Sequence, residues 1–416
     1  MKHFLKRWGF FGLLVVLVLA CSAALADEQK HSTGPVDLKT GPWNLSVLKR
    51  VPPATWGAKT GLVQEVYYEG EPLGGKPTRV FAYVARPKSG GKSVPAMVLV
   101  HGGGGTAFAQ WATLWAKRGY AAIAMDLSGY GPGRKRLADG GPLEKDPTIF
   151  RSFTEDQTDQ MWTYHAVAAV IRGHSLLASC EGVDADRIGI TGISWGGYLT
   201  CIVAGLDDRL KVAVPVYGCG FIYENSHPPW LARFAKMKPD VRSRWISQFD
   251  PSVYLPQVRC PILFVNGTND FAYPLDSYQK SYQLVPGQID LRIQPGMRHG
   301  HGHGWAPKEI GLFVDSVLVG GDPLPRLSAI ATVGDRVSAE FTAKQPVVKA
   351  ELWYTSDTGP WQSRKWKSTE AVIDGHTIHA RLPKQRPLVY FFNVTDRRGA
   401  MTSTPHRHAA KTADQQ

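Results

Sequence analysis

Between residues 62 and 318 short apolar runs alternate with segments of helical periodicity, and this rhythm restricts the possible folds more than any other feature of the chain. The runs at 62–68, 79–85, 96–100, 121–125, 187–191, 212–216, 262–265 and 289–293 read as strands. Helices are expected at 107–118, 156–178, 195–204, 275–285 and 308–318. Most of these strands are apolar throughout rather than at every second residue, so they are buried on both faces, and strands separated by helices pair in parallel. The expectation is a doubly wound, mostly parallel α/β sheet over residues 61–321. Two stretches, 129–153 and 218–255, break the alternation. Each follows the carboxyl end of a strand, where open α/β sheets bind ligands, so both are read as walls or a lid over a substrate site. Trp230, Phe234, Trp245 and Phe249 in the second stretch are expected to form a small lid core, with direct stacking on substrate as the alternative.

The flanks differ from this centre. After Gly320-Gly321-Asp322-Pro323 helical periodicity disappears. Alternating runs at 336–342, 348–354, 377–381 and 388–394, with Asp374-Gly375 as a tight turn, predict an immunoglobulin-like β-sandwich over 322–416 with a polar tail. This domain is read as a packing module that shields or positions the face carrying the site, with sugar binding as the alternative; its Trp353, Trp361 and Trp366 would fill the sandwich core or stack on sugar rings. Residues 27–60 are polar and rich in Pro and Gly, and are read as an extended lead-in. Residues 1–26 read as a secretory signal: Lys2, Lys6 and Arg7 precede an apolar run at 10–20, and Ala24-Leu25-Ala26 offers a signal-peptidase site. Val18-Leu19-Ala20-Cys21 resembles a lipoprotein box, which keeps a lipid anchor at Cys21 as the alternative. The expected location is periplasmic or secreted. No other apolar run approaches the roughly 20 residues that span a bilayer, so no transmembrane segment is expected in the mature chain.

Removing Lys2, Lys6 and Arg7 with the signal lowers the formal net charge from +13 to +10, and the chain stays basic. Its basic residues are scattered, with Arg134-Lys135-Arg136 and Arg364-Lys365 as short clusters outside any nucleic-acid motif. Nucleic acid is therefore not an expected partner. The clusters read as solvated surface, with attraction to anionic polysaccharide as the functional alternative. Cys180, Cys201, Cys219 and Cys260 are too widely spaced to resemble a metal site and are taken as buried free thiols, although an oxidising compartment would allow pairing.

The strongest chemical signal is Gly192-Ile193-Ser194-Trp195-Gly196, between a predicted strand and a predicted helix. A serine at such a turn is held in a strained backbone above the sheet edge, and glycines two residues to either side relieve crowding. The amide of Trp195, opening the helix, points to where negative charge develops on an attacked carbonyl. A second donor is expected from His101-Gly102-Gly103-Gly104-Gly105 after the strand at 96–100, with Gly103 or Gly104 supplying the amide and His101 structural. An acid and then a histidine should follow in strand-end loops. Asp270 is the expected acid, in Asn266-Gly267-Thr268-Asn269-Asp270; a turn-forming role is its alternative. The base is one of His299, His301 and His303; His299, first after the strand at 289–293, is the choice and His301 the main competitor. Three alternating histidines could bind a metal, yet no Cys, Asp or Glu lies in that segment to complete a catalytic metal site, so no metal is expected.

The run Arg187–Tyr198 around Ser194, the Gly267–Asp270 loop and the Met297–His301 segment together resemble bacterial esterases of the acetyl xylan esterase and dienelactone hydrolase-like groups, over residues 60–320. The resemblance implies an α/β-hydrolase fold and a cofactor-free serine esterase with the triad Ser194, Asp270 and His299. It further implies deacetylation of carbohydrate or small acyl esters, with an acylated polysaccharide as a candidate substrate. Two features depart from the pattern: dienelactone hydrolases proper carry cysteine where Ser194 stands, and typical carbohydrate acetyl esterases have a different oxyanion loop. A serine peptidase of the prolyl oligopeptidase type is the rival reading; the about 35 residues between the expected signal and the first strand are fewer than even one propeller blade of roughly 40. The alternative from another class is a catalytically inert carbohydrate-binding protein.

Overall fold

The computed structural model of the chain describes residues 39–88 and 90–410. The expected signal segment, with Cys21, lies outside them. Nine strands form one sheet: β1 (Ala54–Thr60), β2 (Val63–Glu69), β3 (Arg79–Ala85), β4 (Val94–Val100), β5 (Ala121–Met125), β6 (Val183–Ile193), β7 (Val212–Val216), β8 (Ile262–Gly267) and β9 (Ile289–Gln294). Their spatial order is β1-β2-β3-β5-β4-β6-β7-β8-β9. The pairs from β1 to β5 are antiparallel and the rest parallel, so the sheet is mostly parallel, as its apolar runs require. Helices Ala109–Lys117, Trp162–Ala178, Trp195–Leu206, Leu275–Tyr282 and Lys308–Leu318 interleave with these strands.

The lead-in is not wholly extended. Trp43 is buried and donates its indole N–H to the Tyr164 carbonyl at 2.9 Å, and Leu45–Leu48 makes a helical turn. Its last residues, Ala54–Thr60, form β1. It escapes a pattern-based reading because every residue of this edge strand is exposed, so no apolar alternation marks it. The helix expected from residue 156 starts at Trp162, preceded by a 3-10 turn at Glu155–Gln160 with Thr154 and Gln157 as its capping box.

Both interruptions of the alternation follow carboxyl strand ends, after β5 and β7. The first is pinned by its own basic cluster, whose three residues are exposed as expected. Arg136 donates to the carbonyls of Ser128, Gly140 and Gly141 at 2.8, 2.9 and 2.6 Å, and Arg134 reaches the Gly104 carbonyl at 2.6 Å. The second contains helices Pro228–Lys236 and Pro239–Phe249, whose Phe234, Trp245 and Phe249 are buried as the expected lid core. Trp230 is only half-buried and reaches outward to the site described below.

Beyond residue 325 the chain continues as β10 (Arg326–Leu327), β11 (Ala331–Val333), β12 (Arg336–Thr342), β13 (Val347–Thr355), β14 (Lys367–Glu370) and the strands below, and two antiparallel five-stranded sheets face each other. The Asp374-Gly375 turn joins β15 (Val372–Asp374) to β16 (Thr377–Arg381), with Gly375 at φ +56°. The last described residues are less of a tail than their polarity implies: β18 (Met401–Ser403) and β19 (Arg407–Ala409) both pair with β17 (Leu388–Asp396). Strand β17 is buried on both faces. Leu388, Tyr390, Phe392 and Val394 enter the sandwich core, while Val389 and Phe391 join Leu275, Ile293 and Trp361 in a cluster against the α/β sheet. Trp353 and Trp366 pack on that same cluster. The tryptophans therefore belong to the junction of the two modules and neither to the sandwich core nor to an open sugar-stacking face. Cys201, Cys219 and Cys260 are buried, Cys180 is half-buried, and all four are free thiols. No described helix is long and apolar enough to cross a membrane.

Candidate active site

Strand β6 ends at Ile193 and the helix begins at Trp195, so Ser194 must reverse the chain in one residue. It does so at φ +58°, ψ −119°, a conformation strained for any residue with a Cβ. Two hydrogen bonds clamp it: Ser194 N–H to the Val216 carbonyl, and Tyr198 N–H to the Ser194 carbonyl, both 2.9 Å. Neighbouring backbone comes so close that side chains are excluded. A Cβ on Gly196 would lie 2.0 Å from the Val100 carbonyl oxygen, and one on Gly192 would lie 2.1 Å from the Gly196 carbonyl oxygen. Gly196→Ala is expected to destabilise the fold by at least the 1–3 kcal/mol typical of overpacking, because the obstacle is backbone. A thermal denaturation scan checks this, and an unchanged midpoint would contradict the crowding.

The glycine loop after β4 touches the elbow. A Cβ on Gly102 would fall 2.8 Å from the Ser194 Cβ, and one on Gly103 would fall 3.1 Å from Cδ1 of Trp195. Three of its four glycine amides are committed: Gly102 N–H to His301 Nε2 at 3.0 Å, Gly104 N–H to Glu144 Oε2 at 3.1 Å, and Gly105 N–H to the Gly102 carbonyl at 2.9 Å. The Gly103 amide has no partner among the described residues and lies beside Trp195, whose own amide is one of the helix's unpaired N-terminal donors. Gly104, equally eligible by sequence, is thus occupied by Glu144, a residue of the first insertion that sequence patterning did not single out. Burial pushes the Glu144 carboxyl up to about 7. His101 is locked by its backbone contacts, with Nδ1 2.8 Å from the Gly102 carbonyl and Nε2 accepting the Leu127 N–H at 2.9 Å, and burial holds its pKa below the usual value.

Asp270 and His299 meet beyond the carboxyl ends of β8 and β9. The His299 Nδ1–H donates to Asp270 Oδ2 at 2.6 Å, and the carboxylate is fully buried. Asp270 Oδ1 accepts the amides of Ala272 and Tyr273 at 2.9 and 2.8 Å. The turn-forming and histidine-orienting roles are therefore played by different oxygens of one side chain. With Nδ1–H committed to the carboxylate, the neutral ring of His299 carries its free lone pair on Nε2. No hydrogen bond joins the Ser194 hydroxyl to His299 among the described residues, an arrangement common before substrate tightens a catalytic site.

The other two histidines have turned away, because 301–305 coils into a short helix rather than continuing as loop. His301 Nε2 accepts from Gly102, its ring packs on Phe108 at 4.8 Å, and burial beside other histidines pushes its pKa down to about 4. His303 is exposed. Tyr217, with φ +65°, stacks its ring on His299 at 4.4 Å and donates its hydroxyl to the Arg298 carbonyl at 2.8 Å. Phe271, half-exposed, closes on the same imidazole at 4.7 Å and continues through His227 to Trp230, which lies 4.6 Å from the Trp195 ring. Tyr217, His227 and Phe271 carry no motif; only the position of Phe271 directly after Asp270 could have drawn notice.

A strained elbow serine, two unpaired amides beside it and a carboxylate-oriented histidine on a sheet of this order coincide with a match of residues 45–224 to the acetyl xylan esterase family model. The chain resembles the acetyl xylan esterases. Its fold is theirs: the acetyl xylan esterase from Paenibacillus sp. R4 superposes with a TM-score of 0.55 at 22% identity, over 66% of this chain and 92% of that one. Acetyl xylan esterase 1 from Thermoanaerobacterium sp. JW/SL YS485 superposes with 0.52 at 18%, over 66% and 96%. Residues 151–310 also match the prolyl oligopeptidase family model, which overlaps the acetyl xylan esterase match across the elbow. Acetyl esterase Axe7A of Xylanibacter ruminicola is 22% identical over 237 residues, 53% of this chain and 52% of that protein. The chain thus spans about half the length of the curated relatives it matches.

Proposed function

We propose that this chain is an exported serine carboxylesterase that removes acetyl or similarly short acyl groups from carbohydrate or small esters through an acyl-enzyme. The observation that carries the reading is the 2.6 Å Asp270–His299 pair, in strand-end loops of the sheet whose β6 elbow carries Ser194. His299 Nε2 takes the Ser194 proton as Oγ attacks the ester carbonyl. The resulting oxyanion accepts the amides of Gly103 and Trp195, where one such donor is worth roughly 3 kcal/mol. The imidazolium, held by Asp270, then protonates the leaving alcohol. Water activated by the same histidine attacks the acyl-serine and frees the acid.

The acetyl preference is supported by the acetyl xylan esterase match. Export rests on the basic and apolar opening of the chain. The second reading, a peptidase, is favoured by the prolyl oligopeptidase match. One assay separates them: release of acetate from p-nitrophenyl acetate and acetylated polysaccharide, compared with longer acyl esters, methyl esters of uronic acids and X-Pro peptides. Acetyl esters are expected to exceed peptides in kcat/KM by about 100-fold or more, a gap of roughly 2.7 kcal/mol in transition-state stabilisation. Peptide cleavage at a comparable rate would transfer the assignment to the peptidase.

A further inference from the structure

Asn269 stands immediately before Asp270, and its side chain joins three parts of the molecule. The amide nitrogen donates to the carbonyls of Trp361, Gln362 and Arg364, at 3.2, 3.3 and 2.7 Å, all in one loop of the C-terminal sandwich. The amide oxygen accepts the Thr268 hydroxyl at 2.7 Å. Thr268 in turn accepts the amide of Gly296, three residues before His299, at 3.2 Å. A continuous hydrogen-bonded path therefore runs from the base loop, through the acid loop, into the sandwich.

The sandwich end of that path is stiff. The Arg364 guanidinium lies 3.8 Å over the Trp361 ring and donates to the Gly359 carbonyl at 2.9 Å, and the Lys365 amide donates to Asp357 at 2.7 Å. Trp361 itself is buried in the cluster with Leu275, Ile293, Val389 and Phe391. A second joint secures the strand leading to the base. β9 is the sheet's edge, and its Ile293 N–H donates to Ser403 Oγ at 2.7 Å while its carbonyl accepts the Asn393 side chain at 3.1 Å. Ser403 closes the set by donating to Asn393 Oδ1 at 2.6 Å.

Adhesion between the modules needs only the apolar cluster, which is indifferent to the position of Asp270. Three backbone carbonyls converging on one amide define direction, and they do so at the residue before the acid. We propose that the C-terminal sandwich is part of the catalytic apparatus, and that Asn269 is the positioning residue through which it holds Asp270 in register with His299. The proposal rests on the serine hydrolase reading above. It gives the sandwich a task that sugar binding would not: without Asn269 the acid loop keeps its own turn, through Oδ1 of Asp270, but loses its anchor.

The test uses the full chain. Ser194 is labelled with a fluorophosphonate probe to count reactive sites, and kcat and KM for p-nitrophenyl acetate are measured per labelled site for wild type, Asn269→Ala and Asn269→Asp. A displacement of about 1 Å at a catalytic group costs on the order of 100-fold. Asn269→Ala is therefore expected to lower kcat and the labelling rate by about 10- to 100-fold with KM little changed. Asn269→Asp, which turns an oxygen toward three carbonyls, should lose at least as much. Should the alanine variant not fold, Asn269→Ser, which keeps one donor, carries the same comparison. Wild-type kcat per labelled site in these variants, or a change confined to KM or to the folded fraction, would overturn the proposal. Failure of the wild-type chain to label at all would instead sink the serine hydrolase reading on which it stands.

Discussion

A Ser194→Ala chain is expected to hydrolyse p-nitrophenyl acetate at least about 10⁴-fold more slowly than wild type, a loss of roughly 5.4 kcal/mol in transition-state stabilisation. The size follows from the chemistry: with no nucleophile, the acyl-enzyme route closes and only water held near the Gly103 and Trp195 amides can react. The variant should remain folded, because alanine keeps the same Cβ at φ +58° and the backbone bonds to Val216 and Tyr198 do not involve the hydroxyl. Circular dichroism and a steady-state assay decide the matter together. A folded variant retaining a tenth of the wild-type rate would remove Ser194 from the mechanism.

The second large effect separates two neighbouring histidines. His299→Ala is expected to cost about 10⁴-fold in kcat, and Asp270→Asn a similar amount, since an amide in place of the carboxylate favours the wrong tautomer of the base. His301→Ala should cost about 10-fold or less. The Nε2 of His301 is already engaged by the Gly102 amide, and its pKa near 4 leaves it uncharged at neutral pH, so its loss loosens the glycine loop without removing a base. Parallel rate measurements on the three variants suffice. An equal loss in His299→Ala and His301→Ala would return both histidines to candidacy.

The sheet and the elbow were legible because their signals are local and redundant. Apolar runs buried on both faces look different from half-exposed ones, and Gly192 and Gly196 mark places where a Cβ would come within about 2 Å of a backbone oxygen. The order of Ser194, Asp270 and His299 could be read for the same reason, as each candidate follows a recognisable strand. Ambiguity appeared where a long-range partner decides. Gly103 and Gly104 are interchangeable until Glu144 arrives from 40 residues away to occupy one of them. His299 and His301 differ only once 301–305 is seen to coil, turning the second ring toward Gly102. Arg134 and Arg136 are surface charge as read, but the carbonyls they bind carry no local signal, and β1 carries no pattern because it buries nothing. Asn269 is the clearest case, a polar residue in a turn motif whose meaning depends on a loop more than 90 residues later.

Strand β17 has a thermodynamic consequence. Its even-numbered side chains complete one interior and its odd-numbered ones another, so neither module can open along this strand without wetting apolar surface that the other also relies on. Two modules that share a wall in this way are expected to unfold together, as a single calorimetric transition would show, and mutational damage in the sandwich is expected to reach the α/β sheet as lost stability.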